Sequence, residues 1–310
     1  MHFLTKAHLL LVGCLWLVGC ANHFPETHSP VITSSSKQLA VPFIVQDDAY
    51  CGPSALAMVL AQQNKTVSVS LLAQEMLLPA RGGALQAELK ASVRRQGYLA
   101  YETDPTLLAL LTEVNAGRPV IVLLNLSFNW YPKWHYAVVT GYDLSRQEII
   151  VHSGAQANQH WSLTQFDNLW QRSNRWGLLV LAPSVLPPSS MQETRYLQSI
   201  VDLEKTAGLA QAQLAYQATL QRWPRNLTAL IGLGNAAYQQ HDLALAQHWF
   251  QLAASYHPDS AVAANNYAQT LLDNGDPAKA FVWAQKAVLA DGGAPARDTL
   301  QQVLHALRAQ

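Results

Sequence analysis

Gln46-Asp47-Asp48-Ala49-Tyr50-Cys51-Gly52-Pro53-Ser54-Ala55-Leu56 sets a carboxamide five residues before a thiol, and the thiol at the head of an apolar run. Proline in a first helical turn forgoes an N–H that has no partner there, so Pro53 suits a helix over 53–62. A thiol at a helix N-terminus sits in the partial positive charge of the unpaired N–H groups, which favours the thiolate. An upstream amide such as Gln46 can donate to an oxyanion forming beside that sulfur. Such a nucleophile needs a base, usually histidine.

Working outward, 53–62 is the first of several elements. Ser70 is expected to cap a second helix ending at 77. Further helices are expected over 84–96, 105–115 and 162–172, and strands over 119–126, 135–142, 148–152 and 177–182. The loop 143–147 reads as a hairpin connection between the two middle strands. Helices first and an antiparallel sheet after them make an α+β domain over 39–183. Pro187-Pro188-Ser189-Ser190 marks a linker, 184–192.

Among the histidines outside the first residues, His135 opens the strand His135-Tyr136-Ala137-Val138-Val139. A strand start at a domain edge puts a side chain on a cleft rim, and the apolar remainder holds it rigidly. His135 is therefore the expected base for Cys51. His152, His160 and Asp143 match no common zinc spacing, so no metal or other cofactor is expected. Gly82-Gly83 has no following Lys-Ser/Thr and is no phosphate loop.

With 20 basic and 20 acidic side chains, net charge zero and 13% charged residues, the chain lacks the basic patch nucleic acid requires. Residues 1–19 have the basic, apolar and small-residue layout of a secretory signal, too short for a membrane span. Leu17-Val18-Gly19-Cys20 resembles a bacterial lipobox, which implies lipidation of Cys20. Ala21, where aspartate would favour inner-membrane retention, implies an outer-membrane lipoprotein facing the periplasm, with 20–38 as a flexible tether. Cys14 leaves with the signal, so Cys51 is the expected sole free thiol of the mature chain.

The Gln46–Leu56 segment, the His135–Asp143 strand and the strand after it together resemble the C39-type cysteine peptidases. That resemblance implies a papain-like fold, with Cys51 as nucleophile, His135 as general base and Gln46 as oxyanion donor. The family places Asp or Asn at the end of the next strand, where this chain has Ser153. Either Ser153 orients His135, or Asp143 or a strand-end carbonyl does.

Residues 193–310 repeat with a period of 34: Leu230, Gly234 and Ala237, then Ala246, Phe250 and Ala253, echoed by Ala264, Ala268, Ala280 and Ala287. This resembles the tetratricopeptide repeat, with two good copies, one copy divergent in its first helix (194–205), and a closing helix over 298–308. The expected architecture is an α+β papain-like peptidase domain followed by an all-α solenoid whose concave face receives a protein partner. The expected function is a lipid-anchored periplasmic cysteine peptidase acting on a peptide or protein. Two other readings stay open: a non-hydrolytic acyltransferase on the same fold, and a catalytically silent repeat scaffold.

Overall fold

The computed structural model describes residues 32–78 and 83–309. The expected signal 1–19, the lipidation site Cys20 and the tether as far as residue 31 lie outside the described residues. Among those described, no helix is long and apolar enough to cross a membrane.

The N-terminal part is an α+β domain around one antiparallel sheet. Its elements are β1 (Ser36–Gln38), α1 (Cys51–Gln62), α2 (Val69–Met76), β2 (Leu77–Leu78), β3 (Gly83–Ala84), α3 (Gln86–Arg95) and β4 (Leu99–Glu102). There follow α4 (Leu107–Asn115), β5 (Val120–Asn125), β6 (Trp134–Asp143), β7 (Glu148–Ser153), β8 (Gln156–Ser162), α5 (Leu163–Trp170) and β9 (Gly177–Leu181). The sheet runs β4-β9-β5-β6-β7-β8, with β1 paired to β6, while β2 and β3 pair separately.

Two faces of this sheet are buried, as near-continuous apolar strands such as Val120–Leu124 require. On one face, Ile121, Leu123, Tyr136, Val138 and Leu178 pack with Leu56, Met58 and Leu60 of α1. On the other, Val122, Leu124, Ala137 and Val139 meet α4 through Leu110 and Leu111 and α5 through Phe166 and Trp170. The period of two thus sends His135 and Tyr136 to opposite faces.

The last residues of the expected tether are a strand. Ser36–Gln38 pair with Gly141–Asp143, continuing along β6 beyond the row occupied by β5. Gly141 permits this close approach, since a Cβ there would lie 2.5 Å from the Lys37 carbonyl oxygen. The expected cap of α2 also moves: Ser68, not Ser70, accepts the Leu71 N–H at 3.3 Å. Four further strands are absent from the sequence reading: the two-residue pair β2 and β3, then β4 and the polar β8.

Seven helices follow among the described residues: α6 (Glu193–Ala207), α7 (Leu209–Arg222), α8 (Leu227–Gln239), α9 (Leu243–Tyr256), α10 (Ala261–Asp273), α11 (Pro277–Leu289) and α12 (Gly293–Arg308). They are consistent with an all-α repeat region. Large side chains sit over small ones between neighbouring helices: a Cβ on Gly234 would come within 2.3 Å of the Phe250 ring, and one on Gly232 within 2.4 Å of Tyr216. The closing helix begins at Gly293, earlier than expected.

The helical region is joined to the sheet domain through a shared core. Tyr196, Ile200 and Leu203, spaced for one face of α6, are buried in the same cluster as Leu99, Tyr101 and Leu179. Met191 of the expected linker joins them. Arg94–Asp202 (2.7 Å) and Arg195–Asp104 (2.7 Å) span the same junction. Partly exposed ion pairs contribute about 0–1 kcal/mol each, whereas burying a Tyr- or Ile-sized apolar side chain contributes roughly 1.5–3 kcal/mol. Apolar packing therefore dominates the union. It also explains why the first helix of the array departs from the repeat pattern, since its face meets a sheet domain and not a preceding repeat.

Candidate active site

Cys51 is the first residue of α1, two positions earlier than the proline suggested. It follows a short 3-10 turn, Asp48–Tyr50. No side chain caps this helix and its first turn has no acidic residue, so Cys51 stands at the positive end of the helix dipole. Gly52 is tightly packed. A Cβ there would stand 3.1 Å from Ala84 Cβ and 3.3 Å from the Tyr136 ring.

The four residues expected at the site are all buried, with exposures of 5% for Cys51 and 6% for Gln46, His135 and Ser153. Hydrogen bonds tie them together. Gln46 Nε2 donates to the carbonyl oxygens of Cys51 (3.1 Å) and Tyr136 (3.2 Å), so one amide links the head of α1 to the residue after His135. Gln46 Oε1 accepts from the Gly154 N–H (2.8 Å), which fixes the orientation of the amide. The Gln46 N–H in turn donates to the Gly154 carbonyl (2.9 Å). Next to Gly154, Ser153 Oγ lies 3.0 Å from His135 Nε2. The path from Cys51 through Gln46, Gly154 and Ser153 to His135 is thus continuous in bonds and chain neighbours.

Gly154 has φ +58°, opening the two-residue connection between β7 and β8, where Ser153 pairs with Gln156. The tight turn ends β7 with the Ser153 side chain on the His135 face. Gln159 Nε2 steadies the same point through the Ser153 carbonyl (2.6 Å).

Asp143, the carboxylate considered for orienting His135, lies at the opposite end of β6. It accepts from Ser145 Oγ (2.6 Å) and the Arg146 N–H (3.2 Å), bonds that hold its carboxyl below the usual range. His152 points to the other face. Its Nδ1 accepts from the Asn158 N–H (3.1 Å), so its Nε2 carries the proton and donates to the Val41 carbonyl (3.0 Å). His160 Nδ1 sits 2.9 Å from Glu148 on the surface. Among the described residues, no three metal-ligating side chains converge.

A cavity of about 640 Å³ opens beside Cys51, bounded by Gly83–Gln86, Pro132–Trp134, Tyr136 and Arg172–Asn174. Tyr136 was named from sequence only as part of the His135 strand, yet its ring forms a wall next to the sulfur. Burial, and then the negative charge of the Cys51 thiolate, hold its hydroxyl above the ordinary tyrosine value. It stays a neutral donor. The signal was the dipeptide itself: consecutive strand residues serve opposite faces, so a site histidine implies an adjacent residue on the helix side. Trp134 lines the cavity, whereas Trp130 and Tyr131 are highly exposed (81% and 71%) outside it.

Residues 38–178 match the model of the Peptidase_C39 like family. Three of the solved structures that are similar to this chain illustrate the likeness. A C39-like peptidase from Bacillus anthracis is 20% identical with a TM-score of 0.40, over 47% of this chain and 97% of its own. A double glycine motif protease from an AMS/PCAT transporter, in complex with the leader peptide, is 21% identical with a TM-score of 0.35, over 46% and 93%. The peptidase domain of Streptococcus ComA, a bifunctional ABC transporter, is 18% identical with a TM-score of 0.37, over 47% and 97%. No curated protein matches the chain.

Proposed function

We propose that the chain, whose residues 38–178 match the model of the Peptidase_C39 like family, is a cysteine peptidase cutting a peptide or protein. The observation that carries the reading is the hydrogen-bonded path joining Gln46, the Cys51 helix end, Ser153 and His135. Cys51 Sγ, its proton passed to His135, attacks the scissile carbonyl carbon. The tetrahedral oxyanion is met by the first-turn N–H of Cys51 and by Gln46 Nε2, which shifts part of its donation from the two carbonyls it serves. Collapse breaks the C–N bond, and His135 delivers its proton to the leaving amine. Water, deprotonated by His135, then attacks the thioester, releasing the carboxylate product and restoring the thiol.

In the same proposal Cys20 carries lipid and anchors the enzyme at the outer membrane, facing the periplasm. The helical region is a tetratricopeptide array that recruits substrate or a partner. The leader-peptide complex of the double glycine motif protease supports a peptide as substrate class.

The test is alkylation of the protein, with Cys20 replaced to remove the lipid, by substoichiometric iodoacetamide near neutral pH. Mass spectrometry should find the adduct on Cys51, formed faster than on a denatured control. A rate no higher than that of the unfolded thiol would sink the reading.

Ser153 gives a graded prediction. A neutral hydrogen bond contributes about 0.5–1.5 kcal/mol, so Ser153→Ala should lower kcat/KM by roughly tenfold or less. Ser153→Asp places a carboxylate beside His135 Nε2 and favours the imidazolium. Its pH–rate profile should extend to higher pH before falling. Unchanged pH profiles in both variants would show that Ser153 does not orient the base.

A further inference from the structure

The connection between β5 and β6, Leu126-Ser127-Phe128-Asn129-Trp130-Tyr131-Pro132-Lys133, carries an aromatic tip. Phe128 and Tyr131 pair across the turn Asn129-Trp130, so the tip prolongs the β5–β6 hairpin. Phe128 is 64% exposed, and Trp130 and Tyr131 more so. The Phe128 and Trp130 rings stack with centroids 5.7 Å apart and planes 12° from parallel. The Tyr131 centroid lies 6.1 Å from that of Trp130. Clustered exposed apolar groups of this kind mark an interaction surface.

The backbone beneath the rings is held from within the protein. Asn125, 1% exposed, accepts at Oδ1 from the Ser127 and Lys133 N–H groups (3.0 Å each) and donates to the Phe128 carbonyl (3.4 Å). The Leu126 N–H donates to the Lys133 carbonyl (2.9 Å) and the Tyr131 N–H to the Phe128 carbonyl (3.1 Å). Arg172 Nη1 donates to the Ser127 carbonyl (2.5 Å). Pro132 has no N–H to satisfy. Peptide groups already paired lose little on leaving water, whereas unpaired ones are costly to place in lipid.

Shape, chemistry and reach favour a lipid surface over a peptide as what these rings meet. The rings stand outside the Cys51 cavity on a projecting turn, whereas ligand sites are concave. Trp and Tyr concentrate at membrane interfaces because each presents an apolar body and a polar group. No acidic residue occurs in sequence between Glu113 and Asp143, so this segment brings no carboxylate toward lipid. The proposed lipid anchor also reaches the same surface. β1 lies at the Asp143 end of β6, about 30 Å from Trp134 at the rise of a strand. The chain from Cys20 to Ser36 can extend to about 55 Å.

We propose that the tip formed by Phe128, Trp130 and Tyr131 inserts into the interfacial region of a lipid bilayer and holds the sheet domain against the membrane. Pro132, Lys133 and Trp134, which continue the same loop, line the cavity beside Cys51. Insertion therefore sets the mouth of that cavity at the bilayer surface, where it meets the parts of a substrate that lie close to lipid. This contact is separate from the proposed lipid on Cys20, and it stands whichever acyl transfer Cys51 performs.

The experiment uses the mature chain from residue 20 with Cys20→Ser, which carries no lipid, and sucrose-loaded vesicles of phosphatidylcholine and phosphatidylglycerol. This parent protein should sediment with the vesicles. Replacing Phe128, Trp130 and Tyr131 together by serine should lower the partition coefficient by about tenfold or more, since binding scales with the apolar area inserted. Far-UV circular dichroism and the thermal midpoint check that the fold survives. Trp130→Phe keeps an apolar ring and should still bind. Vesicles with brominated acyl chains should quench the tryptophan fluorescence of the parent more strongly than that of Trp130→Phe. A parent that stays in the supernatant, a triple variant that binds as well as the parent, or equal quenching of the parent and Trp130→Phe overturns the proposal. If the parent ignores vesicles and the triple variant slows alkylation of Cys51 by an apolar peptide vinyl sulfone, the tip serves a peptide instead. None of these outcomes alters the iodoacetamide result on which the peptidase reading stands or falls.

Discussion

Cys51→Ala should abolish cleavage of any peptide the wild type cuts, a loss on the order of 10⁶-fold in kcat, the scale found when a covalent nucleophile is deleted. The size follows from the role: without sulfur no acyl-enzyme forms, and the remaining donors only bind. Alanine fits the buried position of a small thiol, so the fold should survive, as near-UV circular dichroism can check. Digestion of a peptide library read by mass spectrometry measures the effect. The variant also separates the competing functions. A peptidase loses its cleavage products, an acyltransferase loses amine conjugates, and a silent scaffold loses nothing. Residual cleavage of even one per cent in Cys51→Ala, free of contaminating protease, would place the nucleophile elsewhere.

The residues proposed for the site could be named from sequence because each stands at a chain feature with a local signature. Cys51 heads a helix marked by Pro53, His135 opens an apolar strand, and Ser153 ends the next one. What the sequence concealed are consequences of packing. β8, Gln156–Ser162, is a polar edge strand with most side chains exposed, so no alternation of apolar residues announced it. β1 is short and lies in a Ser-rich stretch, and its pairing depends on Gly141, more than a hundred residues away. A second cavity, of about 630 Å³, was hidden for a similar reason. Its lining comes from α3, β4, β9, the turn after α5 and α6, and nothing in the local sequence of Arg195 indicates that it lines a cavity with the sheet domain. The proline-rich linker looked like a separation between domains. In the fold, Met191 is buried, and Ser190 Oγ donates to Glu113 (2.6 Å), a buried carboxylate also paired with Arg118 (2.6 Å). A linker composition says that the backbone turns there and does not say that the flanking units are free of each other.

His135→Ala should match Cys51→Ala in severity, and the double variant should be no worse than either, since nucleophile and base act as one unit. The comparison with His152 makes this decisive. Both histidines are buried and sit near the same end of the sheet, but their rings differ in commitment. His152 spends Nε2 on the Val41 carbonyl and Nδ1 on the Asn158 N–H, so it has no nitrogen to exchange protons and serves to brace the segment leading to Gln46. His152→Ala should therefore lower the thermal midpoint, by leaving the buried Val41 carbonyl without its partner, before it affects the chemistry. His135 faces a hydroxyl at Nε2, a partner that holds the ring and remains compatible with either protonation state, and in the proposed mechanism its Nδ1 serves the thiol. Deleting this imidazole leaves a ring-sized space beside Ser153, and added imidazole should restore part of the lost rate in His135→Ala, more as pH rises through the range where the free base accumulates. No such rescue is expected for Cys51→Ala. Retention of more than about a tenth of wild-type activity in His135→Ala, or equal loss in His152→Ala with an unchanged thermal midpoint, would assign the base to another residue.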